Sequence, residues 1–408
     1  MKPHLLLVTG KDPLEDSSGH GAYVRMWARA AVVAGYWPEI FCVSNQKGDA
    51  ETPYGRVHRI RSPWRKICSN RHTGILTYTA GWHIGILARA VVKYTRQVNP
   101  SEPLILHGVQ SWTAAVVRAA KRLRSEGRNV TLIMSAYTTI VPEFNERWRG
   151  ARTLPGMART LSMAWEMINL HLFLNRCERL ACRGVDRIVV HYESVRRLVE
   201  AAWAPCAPIV RLPYTSERAM IHPLEQESKA DGVPIILAVS RHDSRKGLDT
   251  LLRALALLKQ RGVQFRACLV GGGACLTVHR QLESHLGLDG AVEITGYVQD
   301  TAPHWQAASV FVLPSHQEGS GSMSLLEALE RGKAIVASGI DGIPEDVEDG
   351  RSGLLVPAKN PEALAGALRR VLENEHLRHE LERGARQRFE QQFAPARLVS
   401  AIAGLYNS

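Results

Sequence analysis

Eleven short runs of β-type residues recur along the chain, separated by stretches whose apolar positions follow a helical repeat. "HLLLVTG", "PEIFCVS", "LILHG", "VTLIMS" and "RIVVHY" form a first series, and "PIILAVS", "FRACLVGGG", "VEITG", "VFVLPS", "KAIVAS" and "GLLVP" a second. Between them, residues such as Ala22 to Ala34 and Leu248 to Lys259 show the spacing of a helix with one buried face. Strands alternating with helices in this way give parallel sheets covered on both faces. The expected fold class is therefore α/β, with two domains, because 408 residues exceed what one ordinary core supports. Polar, proline-containing sequence at residues 212–234 separates the two series and places the boundary near 215/216. A last helical stretch, "RLVSAIAGLY", lies beyond the second series. It is expected to cross back, giving domains 1–215 with 391–408, and 216–390.

Composition bounds the function. No apolar run reaches the eighteen or so residues of a membrane span, and the run in "MKPHLLLVTGKDP" is too short for a signal-peptide core, so a cytoplasmic protein is expected. Seven cysteines without a CxxC pair suit neither a disulfide framework nor a zinc site, and read as reduced and mostly packed. Charge is unevenly placed. Lys plus Arg against Asp plus Glu is 30 to 15 up to residue 215 and 21 to 24 beyond it. The segment "RVHRIRSPWRKICSNRH", with Arg59 and Arg61 among its cations, is either a solvated face or a contact for an anionic acceptor or an acidic membrane surface, the latter making the protein peripheral on the inner face. Nucleic acid is not expected, since no helix-turn-helix, zinc finger or RNA-recognition signature accompanies the charge.

Three stretches could carry chemistry. In "VSRHDSRKGLDTLLRALALL" a strand end, a polar turn and an amphipathic helix place Arg241 and Lys246 where parallel sheets bind ligands, and two fixed cations there suit a diphosphate. "SSGHGAYVRMWARAA" repeats the design after the first strand, with Gly19, His20 and Gly21 at a helix start. "HQEGSGSMSLLEALERGK" puts Glu318 before a helix and Glu327 within it, around a Gly/Ser loop. "SLLE" within it is also a capping box, Ser324 capping and Glu327 bonding back. "LVGGGACL" imitates a dinucleotide fingerprint with Glu293 as the ribose acid, but Leu276 stands at the third glycine. No HExxH or Asp-x-Asp appears, so metal ligands are not expected, and charge on a phosphorylated donor would fall to Arg, Lys and helix N-termini.

The motifs "SRHDSRKGLDTLLRAL", "VEITGYVQD", "VFVLPSHQEGSGSMSLLEALERGKAIVAS" and "GIPEDVEDGRSGLLVPAKNPEALAGAL" follow one another as in the GT4 family of retaining glycosyltransferases, which the chain resembles over roughly residues 235–370. "SSGHGAYV", "LILHG" and "GVDRIVVHYESVRRL" extend the likeness more loosely into the first half. The resemblance implies the GT-B fold, two Rossmann-like domains facing across a cleft. It also implies a nucleotide-sugar donor on the C-terminal domain, a UDP-sugar ahead of a GDP-sugar, an acceptor on the N-terminal one, and no cofactor. Carried over, Arg241 and Lys246 would grip the diphosphate, Glu327 the ribose, and Glu318 the donor sugar. Gly319, Ser320, Gly321, Ser322, Met323 and Ser324, with the Gly19–Gly21 loop, would complete the cradle. Gly296, Tyr297 and Val298 would line the base. Expected acceptor contacts are His107, Ser135, Arg59 and Arg61.

Two departures stand out. The family spaces its glutamates eight apart, whereas here they are nine apart, and a histidine common at the end of the strand matching "TLIMSAYTT" is replaced by Ser135. Other readings remain open at this point. One is a catalytically weak homologue serving as a binding subunit at a membrane surface; the other is a nicotinamide-dependent oxidoreductase.

Overall fold

The structure, a computed structural model, describes residues 2–16, 18–46, 48–61, 73–137, 168, 175–222 and 232–407, with the backbone alone for 73–81. They form two compact units. The first takes the described residues up to Met220 and the segment from Pro395 onward; the second runs from Ile221 to Ala394.

In the first unit the strands are β1 (His4–Val8), β2 (Glu39–Ser44), β3 (Ala50–Thr52), β4 (Gly55–Arg61), β5 (Leu104–Val109), β6 (Val130–Ser135), β7 (Arg187–Val190) and β8 (Ile209–Arg211). Their order is β3-β4-β2-β1-β5-β6-β7-β8, parallel except for the β3–β4 pair. Helices α1 (Gly19–Val33), α2 (Thr73–Thr95), α3 (Thr113–Ser125), α4 (Asn175–Gly184) and α5 (Glu193–Trp203) cover it. β1, β2 and β5 are buried almost throughout, as expected of strands covered on both faces. The order reverses at β1, whose neighbours are β2 and β5. That reversal opens a crevice beyond their carboxyl ends.

The second unit repeats the plan. β9 (Ile235–Val239), β10 (Arg266–Val270), β11 (Val292–Gly296), β12 (Val310–Leu313), β13 (Ala334–Ser338) and β14 (Leu354–Val356) pair in parallel in the order β11-β10-β9-β12-β13-β14. Its helices are α6 (Leu248–Gln260), α7 (Leu276–His285), α8 (Ala302–Ala307), α9 (Met323–Glu330), α10 (Ile343–Asp346), α11 (Pro361–Glu373) and α12 (Glu375–Arg388). Leu251, Leu252, Leu255 and Leu258 of α6 join Leu364, Leu368 and Val371 of α11 in one buried cluster against the sheet. Here the order reverses between β9 and β12, so the loops leaving these two strands meet.

After a π-turn at Phe389–Phe393, helix α13 (Pro395–Asn407) returns to the first unit, as expected for "RLVSAIAGLY". Trp27 Nε1 of α1 donates to the Tyr406 hydroxyl at 2.8 Å, and the Tyr36 hydroxyl donates to Asn407 Oδ1 at 2.6 Å. No helix among the described residues is long and apolar enough to cross a membrane. Of the cysteines described, Cys42, Cys182, Cys268 and Cys275 are buried and Cys206 is exposed.

Of the basic segment, residues 56–61 are described. Its first part folds as β4, with Val57 buried and His58 held between Glu39 at 2.6 Å and Asp49 at 3.0 Å. Residues 62–72 lie outside the described residues.

Candidate functional site

In the second unit, the loop leaving β9 tightens into a 3-10 turn, Ser244–Lys246, capped by Asp243, whose carboxylate accepts from the Arg245 amide. Gly247 follows at φ +62°, and a Cβ there would lie 2.0 Å from the Pro314 carbonyl oxygen. Only glycine lets the two loops close on each other. The Arg245 carbonyl then accepts from the His316 amide at 2.7 Å, and Thr250 bonds the His316 ring at 2.8 Å. This seam brings Lys246 to Glu318, with Nζ 2.6 and 2.7 Å from the two carboxylate oxygens. Ser315 Oγ also donates to Glu318.

Asp341, in the loop after β13, completes the arrangement. Its Oδ2 accepts from the amides of Glu318 at 2.7 Å and Gly319 at 2.8 Å, with its own backbone in the left-handed region at φ 49°. Glu318 is thus fixed at both backbone and side chain. Sequence reading missed Asp341 and Ser315; an Asp before Gly342, a residue pair that tolerates positive φ, was the available signal for the first. The Gly319 amide, expected in the ligand cradle, is occupied by Asp341 in this state.

Glycines shape the neighbouring loop. A Cβ on Gly271 would lie 1.9 Å from the Ser240 oxygen, and one on Gly273 would lie 2.3 Å from the His242 oxygen, so the "GGG" run packs flat against the β9 exit. Its glycines serve close strand-exit packing, and Leu276 begins α7 packed against the core, as befits the failed dinucleotide fingerprint. Gly296 closes β11 at φ 78°, and Tyr297 beyond it is 67% exposed, a ring face open to stacking; Val298 is half-buried. Arg241 is half exposed, 3.9 Å from Asp243.

The expected capping box does not form. Helix α9 starts at Met323 with Ser322 as its N-cap, so Ser324 lies inside the first turn and its hydroxyl meets Ser322 Oγ at 3.0 Å. Ser320 and Gly321 remain in the loop, and Glu327 is half-buried on the helix.

In the first unit, the β1 exit is bent back by Asp12, whose Oδ1 accepts from the Leu14 amide at 3.0 Å. Arg25 of α1 ties this loop down through the carbonyls of Pro13 and Asp16 and a two-point bond to Glu217 at 2.6 and 2.7 Å. A Cβ on Gly21 would meet the Asp16 oxygen at 1.9 Å, whereas nothing lies within 4 Å of one on Gly19. His20 bonds Thr9 at 2.7 Å and Tyr137 at 2.6 Å, and burial pulls its pKa down to about 4. The neutral ring therefore ties the β1 and β6 exits to the start of α1.

The acceptor contacts expected of His107 and Ser135 are corrected by their surroundings. Both are fully buried, in a run of hydrogen bonds that lies beside a second one. Trp27 N–H can only donate, so Tyr406 accepts from it and donates to His107 Nδ1 at 2.7 Å. His107 Nε2–H then donates to Ser135 at 2.7 Å. Tyr23 donates to His191 Nε2 at 3.0 Å, because His191 Nδ1–H is committed to the Leu212 carbonyl at 3.1 Å. Every member is neutral, and burial holds His107 down to about 3 and His191 to about 4. These residues weld α13 to the sheet. Arg59 is likewise engaged, 2.7 Å from buried Asp12, while Arg61 is exposed at the end of β4.

Residues 233–374 match the family model described as "Glycosyl transferases group 1". A D-inositol 3-phosphate glycosyltransferase of Nocardioides sp. is 38% identical over 169 residues, 37% of this chain; the chain spans only 36% of that relative's length. Among solved structures, a sucrose-phosphate synthase from Thermosynechococcus elongatus superposes with TM-score 0.73 at 21% identity, covering 100% of this chain and 98% of the other. Anabaena Alr3699/HepE, solved with UDP and glucose, gives 0.71 at 17% identity, covering 100% of both. The chain thus has the GT-B fold, and the segment holding Arg241, Lys246, Glu318 and Glu327 is the one that matches the group 1 glycosyl transferases.

Proposed function

We propose that the protein transfers a sugar from a nucleotide-diphosphate sugar, a UDP-sugar ahead of a GDP-sugar, to a hydroxyl acceptor, with retention of anomeric configuration and without a metal ion or cofactor. The observation that carries this is the bonded Lys246–Glu318 pair at the strand-order reversal of the second unit, inside the segment matched by the glycosyl transferase model. An ammonium group has three N–H donors, and two are directed at Glu318, leaving one for a phosphate oxygen. Arg241 adds a second cation beside it. Together they stabilise the charge that develops as the sugar C1–O bond to phosphate breaks. The acceptor hydroxyl bonds to C1 on the same face, and its proton passes to the departing phosphate oxygen, so no separate protein base is needed. Glu318 meets the sugar, Glu327 the ribose and Tyr297 the base. The acceptor belongs to the first unit. The bound UDP of the Anabaena structure favours a UDP donor.

Incubation with a panel of UDP-, GDP- and ADP-sugars tests this. One UDP-sugar should be hydrolysed slowly, with an anomeric product matching the donor by NMR, at a rate unchanged by excess chelator. An inverted product, or activity lost to chelator and restored by manganese, overturns the proposal.

A further inference from the structure

Away from these loops, α2 and α3 of the first unit enclose a groove of about 580 Å³. Its floor is small and apolar: Gly85, Ala88, Val92 and Ala119. Its walls are cationic, with Arg89 and Lys93 on α2, Arg96 just past its end, and Arg118 and Arg122 along α3. All five are exposed. Glu126 is shared by Arg96 at 3.6 Å and Arg122 at 3.1 Å, and among the described residues Arg89, Lys93 and Arg118 have no acidic partner. The absence of a side chain at Gly85 matters, because Arg118 Nη1 lies 3.3 Å from where its Cβ would be, so the guanidinium rests over the groove floor.

Cations repeated one helical turn apart repel one another, and nothing in the fold requires them to converge. We propose that this groove binds an extended polyanionic chain, one bearing successive phosphate or carboxylate groups. The three cations from Arg89 to Arg96 extend over about 10 Å at the helical rise, longer than a single phosphate and matched by two or three charges in a row. The concavity favours a chain over a membrane: charges on two facing walls aim at a line between them, whereas a bilayer meets charges that share a plane. The site stands on the first unit alone and does not depend on the transferase reading.

The test is binding of a fluorescent octagalacturonate, with inorganic tripolyphosphate as a phosphate-bearing competitor and phosphatidylglycerol vesicles as a third arm. The wild-type protein should bind the oligomer, more weakly as salt rises, and tripolyphosphate should displace it; failure to compete counts against the proposal. Charge reversal in Lys93→Glu with Arg118→Glu should weaken binding at least tenfold with melting temperature unchanged; the milder Arg89→Gln should weaken it about threefold, and Arg266→Glu, at an exposed position in the second unit, not at all. If the double variant binds within twofold of wild type, or if only vesicles bind, the proposal fails.

Discussion

At the strand exits of the second unit the chain turns on glycines at positive φ and sets a lysine against a glutamate; at those of the first it sets neutral histidines and tyrosines. Both are parallel sheets with a strand-order reversal, so topology does not explain the contrast. The difference lies in what holds each exit. In the second unit, backbone packed on backbone holds the exits, and the charged side chains of Lys246 and Glu318 pair with each other. In the first, side chains do the holding: Arg25 and Arg59 through ion pairs, and His20, His107 and His191 as rings that burial keeps neutral.

The sharpest way to break this contrast is to remove charge. Lys246→Ala or Arg241→Ala should lower donor turnover about a hundredfold or more, as when a strong electrostatic stabiliser is lost. His20→Gln should change donor turnover far less. Equal losses in steady-state rate assays would erase the distinction.

Backbone substitution comes next. Gly247→Ala forces a Cβ into the Pro314 carbonyl at positive φ and should destabilise by more than about 2 kcal/mol. Gly19→Ala, with open space around it, should alter stability by less than about 0.5 kcal/mol. Denaturant midpoints decide, and a tolerated Gly247→Ala would show that the second unit's loops are not closed by backbone packing.

Acid should discriminate between the units as well. His20, His107 and His191 have folded pKa values of about 4, 3 and 4, below the ordinary value of 6.5. Between those limits the unfolded chain binds protons that the folded rings refuse, so stability is fully present above pH 6.5 and falls as pH drops toward 4. The slope is at most about 1.4 kcal/mol per pH unit for each ring. His242 and His279 are also lowered in the second unit, giving it fewer such rings. Amide exchange corrected for intrinsic rates should show β5 and β6 opening more readily at pH 5 than at pH 7, and more so than β9 and β12. Protection insensitive to pH in β5 would mean the histidine chain is not what welds α13 to the sheet.

How much of this the sequence showed differs between the units for the same physical reason. That the loops of Lys246 and Glu318 meet was legible because loops closed by backbone packing need glycines, and these stand beside the charges in runs such as "SRHDSRKG" and "HQEGSGS". The α/β plan was legible because strands covered on both faces are continuous apolar runs. His107 was misread because its partners, Tyr406 and Ser135, come from residues 299 and 28 positions away, and no local pattern distinguishes a buried histidine from a ligand. "RVHRIR" read as a charged patch because the acids that pair His58 and Arg59, Glu39 and Asp12, lie on other elements. Asp341 was missed for a related reason: its role is set by amides that lie 22 and 23 positions earlier.

The smallest expected effect concerns Ser324, where sequence and structure part within a single turn. A capping box would make Ser324 the N-cap, and its loss would cost about 1 kcal/mol. With α9 beginning at Met323, however, Ser324 already has helical neighbours on both sides, and the cap position belongs to Ser322, whose side chain makes no capping bond. Ser324→Ala then removes a weak helix former from the first turn and only one hydroxyl contact, to Ser322 at 3.0 Å. Stability should stay within about 0.5 kcal/mol of wild type. Glu327→Gln, in turn, should weaken UDP binding with little change in melting temperature, because the role proposed for Glu327 is to bond the ribose. If Ser324→Ala and Glu327→Gln each melt earlier by the same few degrees, and UDP binding is untouched, the two residues form the box after all and the ligand role of Glu327 is lost with it.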